Sequence, residues 1–365
     1  MRRIGTRAHI ASLLAVFALL LAACGGGGGG TTGSGTPSSN KPVVQAALVT
    51  DIGGLNDGGF NQLSHEGYEK ARTQYGFKDE VIQTKSQNDY ITNLTTAAKE
   101  ADLVIAVGFL MQVPLDKIAK QFPNKKFAIV DGCATATVGG NCDPLSNVAQ
   151  LFFKEQEAGC LVGAIAGQME MDGKSKVAKL LGKNTIGAVG GLPIPPVQRY
   201  IAGYKFCAKK VDPKINVVIS YSNDFVDATK CKAAALSQIS DKQADIIFQV
   251  AGQCGLGVLD AANQKNVYSI GVDADQSKDS SGAARPSVIT SALKRVDTAV
   301  YTIINDAQSG SYDGFVKNPT KFDLIHDGVG YATPSSDVPS DAQSTANTYA
   351  AQIKSSSLTP PEAIP

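Results

Sequence analysis

The chain alternates between short apolar runs and longer stretches in which apolar residues recur every three or four positions. The runs are typical of strands buried in a parallel sheet, and the longer stretches are typical of amphipathic helices. The first run, VVQAALVT at 43–50, leads through a glycine-rich turn into FNQLSHEGYEKARTQY at 60–75. The stripe of that predicted helix consists of Phe60, Leu63, Gly67, Ala71 and Tyr75. Gly76 is placed to end the helix.

The same alternation predicts two successive series of strands and helices. The first series has strands at 43–50, 80–84, 102–108, 126–131 and 147–153, and helices at 60–75, 89–100, 111–121 and 155–170. The second has strands at 185–190, 215–221, 244–250 and 267–272, and helices at 196–210, 228–240 and 255–265. Each series begins with a strand that enters a glycine turn and a helix. This weak internal repeat predicts two similar, doubly wound lobes of parallel sheet, followed by a last helix at 340–356.

The turn after the first strand carries the candidate chemistry. In open α/β sheets, ligands bind at the carboxyl ends of strands and at helix N-termini. Here Asp51 and Asn61 can form hydrogen bonds, and Phe60 offers an aromatic ring. This combination suits a small molecule with hydroxyl groups and a flat face. Each residue also has a structural interpretation, in which Asp51 caps the turn, Phe60 packs in the core and Asn61 caps the helix.

These residues resemble the basic membrane protein family of substrate-binding lipoproteins, the purine nucleoside receptors. The turn matches the family at Thr50-Asp51, Gly53-Gly54, Asp57 and Phe60-Asn61, whereas Gly59 stands where the family usually has serine. Further matching blocks are FAIVDG (127–132), GGLPIPPVQRYIAGY (190–204), FQVAGQCGLGVLDAA (248–262), IGVDADQ (270–276) and VITSALKRVD (288–297). The resemblance implies the type I periplasmic binding protein fold, with two doubly wound parallel-sheet lobes, a hinge, and a ligand between the lobes.

The resemblance also implies roles for residues in the cleft. Phe60 and Phe225, the latter in a loop between a predicted strand and a predicted helix, would stack on the two faces of a purine. Asp273 would bind ribose hydroxyls, with Lys294 donating to the same sugar. The predicted ligand-binding residues are Asp51, Phe60, Asn61, Asp131, Phe225, Gly252, Asp273 and Lys294. Gly252 would let the backbone approach the ligand, although such glycines also serve helix packing.

In that fold the chain crosses the hinge three times. The resemblance therefore predicts a first lobe at 43–154 to which a segment at about 285–325 returns. The second lobe is predicted at 155–284, together with the C-terminal tail at about 326–365.

The N-terminus is typical of a processing signal. Three arginines precede the apolar run IASLLAVFALLLAA, which is too short to span a membrane comfortably. Leu21-Ala22-Ala23-Cys24 resembles a bacterial lipobox, which predicts cleavage before Cys24 and its lipidation. A plain secretory signal or a single membrane helix would also fit the apolar run, but the glycines after Cys24 oppose helix continuation. Residues 25–42 would form a flexible tether to the extracytoplasmic face of the membrane.

Charge and histidine content exclude several classes of partner. The chain has 34 basic and 33 acidic residues, and removal of the signal arginines leaves 31 basic residues, a net charge near −2. Without a basic cluster, nucleic acid is not an expected partner. No CxxC motif is present, and only His65 and His326 remain after the signal, so neither a metal nor a cofactor is expected.

Six cysteines remain once Cys24 is assigned to lipid, and an even number in an exported protein favours disulfides. Cys133 and Cys142 flank a short glycine-rich loop and are expected to pair. Cys207 and Cys231 lie on consecutive predicted helices, which suggests a second pair and leaves Cys160 with Cys254. Six cysteines allow fifteen connectivities, so the Cys160–Cys254 pair is the most weakly specified, and six buried thiols are the alternative.

The leading functional hypothesis is a lipid-anchored receptor that captures purine nucleosides (inosine, guanosine or adenosine) for an ABC transporter permease. Neither an HExxH motif nor a P-loop lysine motif is present, so we do not expect an enzyme. A nucleoside hydrolase would normally need clustered aspartates, and the first strand supplies Asp51 alone. Two competing hypotheses are a sugar or autoinducer receptor on the same fold and a lipoprotein sensor for a membrane kinase.

Overall fold

The computed structural model describes residues 43–365. The predicted signal peptide, the lipidation site at Cys24 and the tether at 25–42 lie outside these residues. Within residues 43–365, none of the helices has both the length and the apolar character that crossing a membrane requires.

The first lobe is built on a parallel sheet of five strands in the order β2-β1-β3-β4-β5. The strands are β1 (Ala46–Val49), β2 (Val81–Ile82), β3 (Leu103–Val107), β4 (Lys126–Val130) and β5 (Val148–Leu151). The helices between them are α1 (Phe60–Tyr75), α2 (Tyr90–Glu100) and α3 (Gln112–Gln121). Every residue of β1 and β3 is buried, as expected for parallel strands covered by helices on both faces. Gly76 ends α1 with a left-handed φ of 72°.

The second lobe is built on a sheet of six strands in the order β11-β10-β9-β8-β6-β7, in which β10 and β11 pair antiparallel and the other pairs are parallel. The strands are β6 (Thr185–Gly190), β7 (Asn216–Tyr221), β8 (Ile246–Val250), β9 (Tyr268–Asp273), β10 (Val288–Lys294) and β11 (Val329–Tyr331). Its helices are α4 (Glu155–Asp172), α5 (Pro195–Val211), α6 (Ala228–Lys242), α7 (Leu256–Lys265) and α10 (Ser340–Lys354). The two helices between α7 and α10 belong to the first lobe.

The chain returns to the first lobe later than predicted. Strand β10 pairs with β9, so residues 288–294 belong to the second sheet and not to the predicted returning segment at 285–325. The return begins with α8 (Val296–Ser309) and continues through α9 (Tyr312–Lys317). The hydroxyl of Tyr312 donates to the backbone oxygen of Phe127 in β4 at 2.5 Å, which ties α9 to the first sheet. The apolar run VITSALK extends the second sheet as β10, so the chain crosses to the first lobe only after Lys294.

The structure contains three disulfides within residues 43–365. Cys133 is bonded to Cys142, the expected pair. The other two bonds join Cys160 to Cys207 and Cys231 to Cys254, so the predicted Cys207–Cys231 and Cys160–Cys254 pairs are wrong.

The physical reason for the different pairing is that α4 and α5 cover one face of the second sheet, whereas α6 and α7 cover the other. Cys160 and Cys207 lie in one apolar cluster, whereas Cys231 and Cys254 lie in another. Ile246 of β8 points into the first cluster and its neighbour Ile247 into the second, because alternate residues of a strand face opposite sides. The sheet therefore separates Cys207 from Cys231.

Candidate functional site

A cavity lies between the two lobes, at the carboxyl ends of their central strands. Its lining includes all eight predicted ligand-binding residues: Asp51, Phe60, Asn61, Asp131, Phe225, Gly252, Asp273 and Lys294. The apolar part of the lining is contributed by Ile52, Phe60, Phe109, Ile194, Pro196, Val197, Phe225, Val250 and Val272. The lining thus combines apolar walls with a few convergent polar groups, which is the usual composition of a small-molecule site.

Three carboxylates enter the cavity from the ends of strands. Asp51 follows β1, Asp131 follows β4 and Asp273 is the last residue of β9. Asp131 and Asp273 have φ values of 66° and 63°, a left-handed conformation that is uncommon outside glycine. Such strain concentrates at functional sites and persists where the surrounding structure enforces it.

Asp51 is held by its own lobe. Its Oδ1 accepts a hydrogen bond from the backbone N–H of Ile52 at 2.8 Å and another from the hydroxyl of Tyr90. Gly108, with φ of 114°, leaves the space that Oδ2 occupies, because a Cβ at this position would overlap with the carboxylate. Burial raises the pKa of Asp51 to about 7, although the Tyr90 hydrogen bond opposes this.

Asn61 and Asp57 shape the turn between β1 and α1. The Oδ1 of Asn61 accepts from the N–H of Asp51 at 2.9 Å, and its Nδ2 donates to the oxygen of Ile52 at 3.2 Å. Asp57 accepts from three backbone N–H groups at the start of α1, those of Gly59, Asn61 and Gln62 at 2.9, 2.7 and 3.2 Å. Asp57, which the site prediction omitted, therefore caps the N-terminus of α1. Asn61 holds the start of the turn to the first residues of α1.

Lys294 is the centre of a buried ion network at the hinge. Its Nζ lies 2.5 Å from the carboxylate of Asp131 and 2.9 Å from Oε1 of Glu155, and Glu155 in turn accepts from Nε of Arg199 at 2.6 Å. Desolvation opposes the charge on Lys294, but the two carboxylates hold its pKa above the ordinary lysine value. Burial raises the pKa of Asp131 to about 6 despite the attraction of Lys294. The charge of Lys294 is therefore largely neutralised by protein carboxylates.

Asp273 has a partner that the sequence analysis missed. The hydroxyl of Tyr200, on α5, donates to Oδ1 of Asp273 at 3.1 Å. Burial raises the pKa of Asp273 to about 7, and Lys294 opposes this rise. Tyr200, Glu155 and Arg199 are separated from their partners by many residues along the chain, so no local pattern indicated their roles.

The lobes touch each other beside the cavity. The Nε2 of Gln276, in the second lobe, donates to the backbone oxygen of Gly58 in the turn before α1 at 3.1 Å. A Cβ on the neighbouring Gly59 would lie 3.4 Å from both Cβ of Asp273 and the oxygen of Val272. The missing side chain at residue 59 therefore lets the turn lie close to the end of β9.

The site offers hydrogen-bond acceptors and apolar surface. Within residues 43–365, no group of three or more His, Cys, Asp or Glu side chains is arranged to hold a metal ion. At neutral pH the carboxyls with raised pKa values can both donate and accept hydrogen bonds, and hydroxyl groups can do the same. The geometry suits an uncharged ligand that has several hydroxyls and a flat apolar part.

Comparison with known proteins identifies the class of this cleft. The family model Bmp, described as "ABC transporter substrate-binding protein PnrA-like", matches residues 44–359. An uncharacterized lipoprotein of Pyrococcus furiosus is 33% identical over 300 residues, which cover 79% of this chain and 70% of that protein. The ABC transporter nucleoside-binding protein BmpA of Lactococcus lactis is 31% identical over 299 residues, covering 77% of this chain and 80% of its own.

Solved structures agree with this classification. An ABC transporter solute-binding protein from Aeropyrum pernix superposes with a TM-score of 0.73 at 25% identity, covering 87% of this chain and 94% of its own. The similarity extends over both lobes, so the two-lobed arrangement is that of the solute-binding proteins.

Proposed function

The chain belongs to the Bmp family of PnrA-like ABC transporter substrate-binding proteins, and from that premise we propose that it captures purine nucleosides between its lobes for an ABC transporter permease. The periplasmic binding protein fold is established by the two sheets and by the similarity to the solute-binding protein of Aeropyrum pernix.

The observation that carries the proposal is the pairing of two aromatic rings with strand-end aspartates in one cavity. Phe60 comes from the first lobe and Phe225 from the second, so a flat base held between the lobes can contact a ring from each. Asp51 and Asp273 enter the same cavity and can bind the vicinal hydroxyls of a ribose. A sugar without a base would need less aromatic surface than these two rings provide.

The electrostatics support an uncharged nucleoside. Lys294 already has two carboxylate partners at 2.5 and 2.9 Å, so its charge is not free to balance a phosphate. Asp51, Asp131 and Asp273 would each repel a phosphate when ionised, and their raised pKa values indicate that the site disfavours negative charge. We therefore place nucleosides, and not nucleotides, in the cavity.

Two relatives support the ligand class and the location. The relative from Lactococcus lactis is named a nucleoside-binding protein, and the relative from Pyrococcus furiosus is named a lipoprotein. We propose on this basis, and on the lipobox at 21–24, that Cys24 carries lipid and holds the protein at the extracytoplasmic face of the cell membrane.

A thermal-shift panel tests the proposed ligand. The protein lacking residues 1–24 is heated with inosine, guanosine, adenosine, hypoxanthine, ribose, glucose, inosine monophosphate and amino acids. A ligand at a hundredfold excess over its Kd adds about 2.7 kcal/mol of apparent stability, so nucleosides should raise Tm clearly. Ribose, glucose and inosine monophosphate should not. A sugar or an amino acid that raises Tm in place of the nucleosides would overturn the proposal.

A further inference from the structure

We propose that the Cys231–Cys254 disulfide positions the ligand cleft, by fixing the loop that carries Phe225 to the turn that carries Gln253. The inference rests on the proposed function, because Phe225 is one of the two rings assigned to the base. It assigns to this bond a role in binding that the Cys160–Cys207 bond of the same lobe does not share.

The bond joins the two segments of the second lobe that reach the cavity. Cys254 lies in the short 3-10 turn Gly252–Gly255, and Gly252 and Gln253 of this turn line the cavity. Cys231 lies in the first turn of α6, which begins directly after the loop 222–227 that carries Phe225. The disulfide therefore joins the turn that lines the cavity to the helix that directly follows the Phe225 loop.

Cys254 also contacts the Phe225 loop directly. Its backbone N–H donates to the oxygen of Phe225 at 3.0 Å. Its Sγ lies 3.5 Å from Oγ of Ser222 and 3.0 Å from the backbone oxygen of Asp227, at the two ends of the loop. Cys254 is fully buried and packs against the inner side of the loop.

The remaining contacts give the loop its shape, hold its entry to β6 and tie its exit to the first turn of α6, where Lys230 forms an ion pair with Asp224 at 2.7 Å. Asp224 accepts from the N–H groups of Val226 and Asp227 at 2.8 and 3.0 Å, and these bonds lie within the loop itself. The N–H groups of Ser222 and Asn223 donate to β6 and the residue after it, both at 2.9 Å, which holds the entry of the loop. Val226 is 42% exposed, so apolar packing does little for the exit. The disulfide fixes the first turn of α6, to which the exit is tied, to the turn that carries Gln253.

The Cys160–Cys207 bond provides a matched control. All four cysteines are fully buried, so replacing either pair with alanine removes the same buried groups. Neither Cys160 nor Cys207 lines the cavity, and both lie in the apolar cluster between α4 and α5. The sequence separation is 47 residues for this pair and 23 for Cys231–Cys254. Because loop-closure entropy grows with loop length, the control pair should cost at least as much stability.

The experiment compares C231A/C254A with C160A/C207A by thermal unfolding and by titration with inosine and hypoxanthine. Both variants should lose Tm, with C160A/C207A losing as much or more. The affinity of C160A/C207A should stay within about twofold of the wild type. The affinity of C231A/C254A should fall on the order of tenfold for both ligands, which corresponds to the lower end of the contribution of one stacked aromatic ring. Similar losses in the two variants, or none in C231A/C254A, would overturn the inference.

A third variant separates positioning from general loosening of the lobe. If the disulfide acts through Phe225, then in a Phe225→Ala background C231A/C254A should weaken inosine binding no further, since interacting residues are non-additive. A full additional loss in that background would contradict the inference. If the wild type binds neither inosine nor hypoxanthine, the proposed function fails first and the inference with it.

Hydrogen exchange on the wild-type protein tests whether the Phe225 loop is fixed to Cys254. This measurement does not depend on the folding of any variant. The N–H of Cys254 donates to Phe225, so in the disulfide-bonded wild type this amide should exchange as slowly as the central strands of the sheet. Exchange of this amide at the rate of an exposed loop would show that the bond does not fix the contact, and would overturn the inference.

Discussion

Asp131 and Asp273 occupy equivalent places in the two lobes. The sheet order β2-β1-β3-β4-β5 of the first lobe corresponds to β7-β6-β8-β9-β10 of the second, which makes β4 and β9 equivalent strands. Asp131 directly follows β4 and Asp273 ends β9, both with left-handed φ values of 66° and 63°. The repeated lobe thus presents the same strained carboxyl to the cavity from both sides, and burial raises the pKa of each.

Asp273→Asn should stabilise the unliganded protein at about pH 8 and change little at about pH 4. With its pKa raised to about 7, the folded protein holds a proton that the unfolded chain releases near pH 4. The contribution of Asp273 to the stability of the wild type therefore falls as pH rises from about 4 to about 7, and it stays lowered above pH 7. Asparagine carries no charge and tolerates positive φ.

We expect Asp273→Asn to gain about 1 kcal/mol or more at pH 8, since one pKa unit corresponds to about 1.4 kcal/mol. Urea unfolding of wild type and variant at both pH values measures the difference. An equal effect at the two pH values, or a loss at pH 8, would contradict the assignment of a raised pKa to Asp273.

Glu170→Gln should make the second lobe more stable in alkaline solution. Glu170 and Asp245 are buried next to each other, so a proton on Glu170 can be shared with Asp245. Among the described residues, no other group donates to Oε1 of Glu170 or to Oδ1 of Asp245. Burial, together with Asp245, raises the pKa of Glu170 to about 10. The stability that protonated Glu170 contributes is present at low pH and is lost as pH rises from about 4.5 towards 10.

The glutamine variant cannot ionise, so its free energy of unfolding should decline less than that of the wild type between about pH 5 and pH 9. Glu100→Gln, at an exposed glutamate at the end of α2, is the matched control and should follow the wild type. A Glu170→Gln protein that loses stability in parallel with the wild type would show that Glu170 does not hold the proton.

Phe60→Ala should weaken nucleosides and free bases alike. One base–aromatic stack is worth about 1–3 kcal/mol, so affinity for inosine and hypoxanthine should fall roughly ten- to hundredfold. Phe60→Leu is the control that restores apolar volume without the flat ring, and it should recover only part of the loss. Asp273→Ala should instead erase the preference for inosine over hypoxanthine, because it removes the buried carboxyl that we propose as a partner of the ribose. Isothermal titration of the three variants against both ligands gives the pattern. Equal selectivity in all three would refute this division of roles.

Cys24→Ser should abolish lipid attachment. The variant should accumulate as an unprocessed chain or leave the membrane fraction, because serine provides no thiol for lipidation. Mass spectrometry of the N-terminus and fractionation of cells measure the two outcomes. A variant that stays anchored to the membrane at the normal mature mass would disprove lipidation at Cys24.

Local patterns predicted most of the strands and helices, and the patterns together with the family resemblance named eight residues that line the cavity. Helix α1 was predictable at both ends, because its stripe begins at Phe60 and Gly76 ends it with positive φ. Asp51 and Asp273 were predictable because the carboxyl ends of parallel strands meet at one edge of a sheet. That they bind a ligand stays a prediction.

The missed features depend on distance in space and not on local sequence. The Cys160–Cys207 and Cys231–Cys254 pairs follow from which face of the sheet each helix covers, and helix spacing along the chain does not encode this. The network of Lys294 with Glu155 and Arg199 joins residues up to 139 positions apart. Sequence patterns also did not indicate that Lys294 would be neutralised by two carboxylates before any ligand arrives.

Isothermal titration of the wild-type protein with inosine, and then with ribose, hypoxanthine and inosine monophosphate, tests the central claim most directly. We expect inosine to bind at one site per chain and more tightly than hypoxanthine, with ribose and inosine monophosphate bound far more weakly than either. Ribose bound as tightly as inosine would contradict the account and leave a sugar receptor in its place.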